Sequence, residues 1–171
     1  MNDILADVRP VLTTTIARWT TIAESISADR LAQAPAPGEW SARECLQHLV
    51  DTERVFSFRL RAFLDGRSEF PAFNPDRQGT RTGREVHPAS LAAEFTRLRL
   101  ESLESLEKVT PSDLERQARH QELGPVTLRE MLNEWAAHDL MHTVQAERAL
   151  MQPFIRGCGP WQVYFTAHLV K

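Results

Sequence analysis

The sequence has few cysteines, no excess of charge of one sign and no long apolar run, and each lack excludes something. Cys45 and Cys158 are its only cysteines, too few for a disulfide framework and consistent with a reducing cytosol. Lysine and arginine number 20 against 23 aspartate and glutamate, a formal charge of −3. That balance offers no basic footprint, so nucleic acid is not an expected partner. No apolar run approaches the roughly 18 residues that span a bilayer, so no membrane association is expected. MNDILADVRP at the N-terminus lacks the charged-then-apolar pattern of an export signal. A cytoplasmic location is the resulting expectation. Phosphate loops, dinucleotide fingerprints and Ser-His-Asp arrangements are also missing. What remains, 171 residues with 42% hydrophobic and 25% charged, is an ordinary globular composition and not a disordered chain. One domain over 1–171 is expected.

Four long segments carry apolar residues at helical spacing, and no run alternates convincingly as a strand would. Ile4, Val8, Leu12, Ile16, Trp19, Ile22 and Ile26 form the first stripe. This helix is expected to start or kink at Pro10 and to break between Asp29 and Gly38, where Pro35 and Pro37 stand. The second helix opens with a capping box, Ser41 and Glu44, with Trp40 and Cys45 as the accompanying staple. Its stripe runs through Cys45, Leu49, Thr52, Phe56, Leu60 and Phe63 to about Asp65-Gly66.

Between Asp65 and His87, Pro71, Pro75, Gly79 and Gly83 forbid a continued helix. A stretch this long is either a crossover or a lid. A crossover would let helices two and three run parallel, with Phe70 and Phe73 anchoring it to the bundle. Helix three starts at Pro88 and runs through Leu91, Phe95, Leu98 and Leu106. Thr110-Pro111-Ser112-Asp113 caps a short turn of helix. Thr127 and Glu130 form a second capping box, with Val126 and Met131 as its staple. Helix four spans about Leu128 to Met151 and is expected to stop at Pro153. GPWQVYFTAHL reads as a short closing helix. The expected fold is all-α: a four-helix bundle with a long crossover between helices 2 and 3 and a short C-terminal helix.

His138 and His142 stand four apart on helix four, so their rings project side by side from one face. Two imidazoles at that spacing can reach a single metal ion. Leu128, Met131, Leu132, Trp135, Ala146 and Leu150 define the inward face, and both histidines fall within it. Adjacent buried imidazoles are costly unless each finds a partner. With six histidines in the chain, such a pair can also arise by chance, as hydrogen-bonded core residues. His48 lies about two turns into helix two, near the edge of its stripe and at a similar depth. It would complete a three-histidine set with an open position, the pattern of catalytic metal sites. Taken alone it reads equally well as a hydrogen-bonded stripe-edge residue.

Glu44 and Glu134 each precede one of these histidines by four residues. Glu44 is explained by its capping box, and Glu134 reads as solvated or as supporting a ligand. A ferritin-like di-iron centre needs Glu-x-x-His, which neither site has, and is excluded. Asp139 lies beside the apolar stripe, where it could orient an imidazole through its free N–H or pair with an arginine. His87, His120 and His168 read as surface residues. Cys45 reads as a small apolar core residue, and Cys158, between two glycines, has no obvious base beside it.

The stretches GEWSARECLQHLVDTERVF and GPVTLREMLNEWAAHDLMHTVQAERAL resemble the DinB/YfiT-like family of small metal-binding four-helix bundles. The resemblance covers most of the chain: a first helix, a Trp-Ser start to the second, a long crossover and the His-x-x-x-His fourth helix. It implies one divalent metal ion, zinc, nickel or iron, held by His48, His138 and His142. It also implies a low-molecular-weight thiol S-transferase of the bacillithiol, mycothiol or glutathione type, in which the three-histidine site activates the thiol. The partners would then be a small-molecule thiol and an electrophile. Arg67, Arg77, Arg81 and Arg84 in the crossover could hold an anionic part of the thiol, although Asp65, Glu69, Asp76 and Glu85 offset their charge. Two other readings stay open. One is a metal-dependent hydrolase with Asp139 or Glu134 as base; the other is a non-enzymatic, stress-related metal-binding bundle. A homodimer is expected on the resemblance alone.

Overall fold

The computed structural model describes residues 3–74 and 86–170. Capping boxes start the two helices that carry the candidate histidines. Helix α3 (Ala42–Leu64) begins at Ser41, whose hydroxyl accepts from the Glu44 N–H at 3.2 Å while the Glu44 carboxylate accepts from the Ser41 N–H at 2.8 Å. Helix α5 (Leu128–Gly157) begins at Thr127 with the same reciprocal pair to Glu130. Each cap contributes about 1 kcal/mol and fixes where its helix starts. Two further long helices, α1 (Ile4–Ser25) and α4 (Pro88–Leu106), complete the bundle. Among the described residues no helix is long and apolar enough to cross a membrane.

Both α1 and α3 pack against α4 and α5. Arg9 donates to the Leu106 carbonyl and Arg99 to that of Leu12, so α1 and α4 run antiparallel. Cys45 and Leu49 share a cluster with Leu91 and Phe95, while Leu60 and Phe63 share another with Leu106. Helices α3 and α4 are therefore parallel, as a crossover between them requires. Phe56 stacks on Trp135 and His48 meets His138, which sets α5 antiparallel to α3. The order is up, down, down, up. Phe70 is buried against Phe63 and anchors the first part of the crossover.

Three expectations need correction. Helix α1 does not start at Pro10: Asp3 caps it, accepting from the Leu5 N–H, and the helix continues through the proline to Ser25. Pro10 is exposed, as is Ala6, so water can satisfy the carbonyl that proline leaves free, while buried Ile4 and Val8 hold the first turns to the core. Helix α5 likewise continues past Pro153 to Gly157, because Ile155 and Gln152 beyond and before it are buried. The Gln152 amide donates to the Arg148 and His168 carbonyls, tying the final 3₁₀ segment Gly159–His168 back to the helix.

The third correction is a small sheet. β1 (Glu69–Phe70) pairs parallel with β2 (Gln117–His120), which pairs antiparallel with β3 (Gly124–Thr127). Only Ala118 and His120 of β2 are buried, and the sequence QARH shows no apolar alternation. Main-chain pairing makes this sheet, with Gly124 at φ +80° closing the turn into β3. Two shorter pieces complete the chain. Helix α2 (Ala28–Ala32) overlaps the start of the expected break, and a 3₁₀ turn (Asp113–Glu115) follows the Thr110–Asp113 cap.

Two apolar clusters fill the bundle, one around Leu12, Phe63, Leu132 and Trp135, the other around Trp19, Leu46, Leu49 and Phe95. A buried ionic group accompanies them. The Arg99 guanidinium, fully buried, donates to Glu53 on α3 at 2.7 Å, to Asp139 on α5 at 2.6 Å and to the Leu12 carbonyl on α1 at 3.1 Å. Burial alone would lower the arginine pKa, but Asp139 and Glu53 outweigh it and hold the group above its ordinary value. Trp135 Nε1–H also donates to Glu53, at 3.2 Å.

Removing the cation would leave two uncompensated buried carboxylates. Arg99→Leu should therefore lower unfolding stability by about 3–5 kcal/mol, read from denaturant midpoints. The triple variant Arg99→Leu/Glu53→Leu/Asp139→Leu should recover most of that loss, because no buried charge is stranded. A small loss in the single variant would show that the carboxylates find other partners.

Candidate metal centre

His48 follows the α3 capping box by two turns and points at α5, where His138 and His142 occupy successive turns. The three rings form a triangle with centroid separations of 5.0, 4.5 and 4.5 Å. One nitrogen from each lies within 4.8 Å of the others, and His48 Nε2 stands 3.1 Å from His138 Nε2. Two imidazole nitrogens about 2.0–2.1 Å from a tetrahedral ion would be about 3.3–3.4 Å apart. The observed spacing fits two ligands of a single ion, so the trio could hold a metal.

The protonation state fits as well. Burial, then the charge that His142 would carry, push the His48 pKa down to about 4. Burial, then His142 and His48, with Arg99 and Arg59 behind them, push His138 down to about 3. Burial also lowers His142, against the opposing pull of Gln145 and Asp139. All three are therefore neutral near pH 7, with lone pairs available for a cation. His142 Nδ1 lies 2.8 Å from Gln145 Oε1, so it is Nδ1 that carries the proton and Nε2 that stays free to coordinate. His138 Nδ1 is buried without a hydrogen-bond partner among the described residues.

An open cavity of about 450 Å³ adjoins the trio. Trp40 stacks on His142 at 5.6 Å and meets His48 edge-on at 5.0 Å. As the staple reading expected, it packs against the cluster that holds Cys45, but it also forms a wall of this cavity. Phe56 and Phe73 supply further aromatic surface beside His138 and His48.

The remaining candidates separate clearly. Of the two readings of Asp139, the structure shows the ion pair: both carboxylate oxygens accept from Arg99, and the residue does not line the cavity. It is therefore no base for this site. Glu134 does line the cavity, half-exposed, with Oε2 3.8 Å from Arg59 Nη1. Burial raises its pKa and Arg59 opposes that shift. His120 is not a surface residue: strand β2 buries it and turns its ring into the cavity wall, 3.1 Å from Arg59 Nη2. Neither Arg59 nor the role of His120 was visible in the sequence, because both depend on the unexpected sheet.

His87 caps α4 and His168 is exposed. Cys45 is fully buried, with its thiol pushed up to about 12 by burial and by Glu44, which agrees with a core role. Arg67 is exposed over the Phe58 ring, while Arg77, Arg81 and Arg84 lie outside the described residues.

The family model described as the DinB superfamily matches residues 12–146. The chain belongs to the DinB superfamily. Among solved structures, this DinB-superfamily chain is similar to YfiT from Bacillus subtilis, with a TM-score of 0.73 and 18% identity over 87% of each chain. YfiT is described as a probable metal-dependent hydrolase with an unusual four-helix-bundle topology. A DinB-like protein from Bacillus subtilis, YjoA, is similar with a TM-score of 0.58 and 22% identity, over 87% of this chain and 90% of that one. At these identities the likeness establishes the shared fold. No curated protein matches the chain significantly.

The neutral histidines make a pH prediction for protein stripped of metal. The unfolded chain, with histidines near 6.5, binds protons that the folded site refuses down to about pH 4. Their contribution to stability is therefore complete above about pH 6.5 and is lost as the pH falls below it. Urea midpoints measured in chelator should drop between pH 7.5 and 5.0, and the drop should shrink in His48→Gln/His138→Gln. An equal drop in both proteins would contradict the assignment.

Proposed function

We propose that this DinB-superfamily chain is a divalent-metal-dependent enzyme whose ligands are His48, His138 and His142. We further propose that it is a low-molecular-weight-thiol S-transferase of the bacillithiol, mycothiol or glutathione type. The observation that carries the metal reading is the convergence of three neutral imidazoles on the wall of an open cavity. The description of YfiT as a probable metal-dependent hydrolase supports metal dependence in a protein of this fold. The thiol follows from the family resemblance of the sequence.

A divalent ion at the trio supplies positive charge that lowers the pKa of a coordinated thiol or water. The chain's residues do the rest. Gln145 holds the His142 tautomer, and Trp40, stacked across that ring, keeps water from one side of it. The aromatic surface of Phe56 and Phe73 receives the apolar body of the electrophile. Glu134 stands at the cavity to take the proton that the nucleophile gives up.

A second reading, hydrolysis, is favoured by Glu134 in particular. Water is the weaker acid and needs a nearby base more than a thiol does.

The test measures metal and turnover on the same untagged protein. Elemental mass spectrometry should find close to one divalent ion per chain, lost in His48→Ala and in His142→Ala. Turnover of 1-chloro-2,4-dinitrobenzene should then require both metal and an added thiol. Metal-dependent cleavage of 4-nitrophenyl acetate without thiol would replace the transferase by the hydrolase. Stoichiometric metal without either activity would leave a binding bundle. Failure to take up zinc, nickel or iron would overturn the metal reading itself.

A further inference from the structure

Among the described residues Arg59 is a buried cation without an adequate counter-charge, and it faces the cavity. Its side chain is only 7% exposed, held between the rings of Phe70 at 5.2 Å and Phe56 at 5.9 Å. The same protein shows how a buried arginine is satisfied: Arg99 has two carboxylates at 2.6 and 2.7 Å. Among the described residues Arg59 has one, Glu134, at 3.8 Å, and that side chain is 54% exposed. Arg59 Nε is buried and makes no hydrogen bond.

The neighbouring imidazole does not relieve this deficit. Arg59 Nη2 approaches His120 Nε2 at 3.1 Å, while the backbone N–H groups of Glu122 and Leu123 approach His120 Nδ1 at 3.2 and 3.3 Å. A neutral imidazole accepts at one nitrogen only. Donors on both sides of the ring therefore compete for one lone pair, and this part of the wall has more donors than acceptors. Guanidinium is planar and forked, the geometry that a carboxylate matches with two parallel hydrogen bonds.

We propose that Arg59, seated against His120, is an anion subsite that holds a carboxylate of the substrate while the reacting atom lies at the three histidines. Phe56, which meets both Arg59 and His138, and Phe73, beside His48 on the same cavity, take the apolar part. The inference rests on the cavity being the substrate site, as proposed above, and it narrows the substrate class to small carboxylates with an apolar body. Glu134 is then the residue displaced from Arg59 when the substrate carboxylate arrives.

The experiment uses metal-stripped protein, so that a carboxylate cannot report on a bound ion. Calorimetric titration compares 3-phenylpropionate with its neutral isostere 3-phenylpropanamide. The acid should bind at least tenfold more tightly than the amide, and Arg59→Met should erase that preference. Glu134→Gln, a change at a half-exposed position, should strengthen acid binding because it removes the competing carboxylate. Equal binding of acid and amide, a preference that survives Arg59→Met, or unchanged affinity in Glu134→Gln would each overturn the subsite.

Metal uptake by the same preparations separates this inference from the previous one. Arg59→Met should take up metal as the parent does. A parent that binds no metal would overturn the metalloenzyme while leaving the acid-over-amide preference to stand or fall by itself. With an active enzyme, 3-mercaptopropionate against 2-mercaptoethanol, and 4-(chloromethyl)benzoate against benzyl chloride, show whether the thiol or the electrophile carries the carboxylate. An Arg59-dependent preference in either pair supports the subsite, and its absence from both overturns it.

Discussion

Arg99 joins all four long helices at one level of the bundle. It projects from α4, grips Glu53 on α3 and Asp139 on α5, and reaches the Leu12 carbonyl on α1. Glu53 lies five residues after His48 and Asp139 immediately after His138, so the clamp holds α3 and α5 in register where the imidazoles meet. A hydrocarbon core of equal volume would stabilise the fold as well or better. It would not fix the sliding or rotation of one helix against another, because apolar contacts are non-directional. Hydrogen bonds at 2.6 and 2.7 Å are directional, and a three-histidine site whose nitrogens must fall within a few tenths of an ångström needs that restraint.

The clamp also sets the field around the site. Two carboxylates against one guanidinium leave a net negative charge buried beside three neutral imidazoles. The clamp's charges reach the imidazoles unevenly: Asp139 opposes the lowering of His142, while Arg99, with Arg59, helps to lower His138. Arg59, on the same cavity, presents the opposite sign. The cavity therefore has three neutral imidazoles at one part of its wall and a buried guanidinium at another, with Phe56 in contact with both. Because water is partly excluded, both groups act through a lower effective dielectric than they would on an open surface.

Much of this was legible in the sequence, and the limits have physical causes. The four helices are written in apolar stripes at helical spacing, and the two capping boxes mark α3 and α5 to within a residue because a cap is a local event with a local signature. The three histidines could be nominated because two share a helix face and the third has the matching depth. Pro10 and Pro153 misled because the cost of a proline depends on whether its freed carbonyl is exposed and whether the turns around it are buried, which tertiary packing decides. The sheet was invisible since QARH and GPVT carry no alternation: its strands are joined by main-chain bonds and are too short for side chains to report on. Arg59 and His120 were lost with it. Asp139 was ambiguous for a related reason, as a helical wheel can place a carboxylate beside a stripe but cannot say which long side chain from another helix will reach it.

Cys45 shows how the start of α3 separates a nearby sulfur from the histidines. It stands three residues before His48 on α3, close enough in sequence to suggest a fourth ligand or a built-in nucleophile. Full burial in the apolar cluster keeps Cys45 off the cavity wall and outside the three-imidazole group, and burial and Glu44 push its thiol up to about 12, so without a metal beside it the thiol stays protonated. Were it a thiolate within reach of the trio, it would be a softer donor than imidazole and would occupy the open coordination position. The capping box at Ser41 contributes to its inertness, since Glu44, held at the helix start, adds a negative charge next to the sulfur. The same short segment therefore begins the helix that delivers His48 and helps to keep the Cys45 thiol protonated.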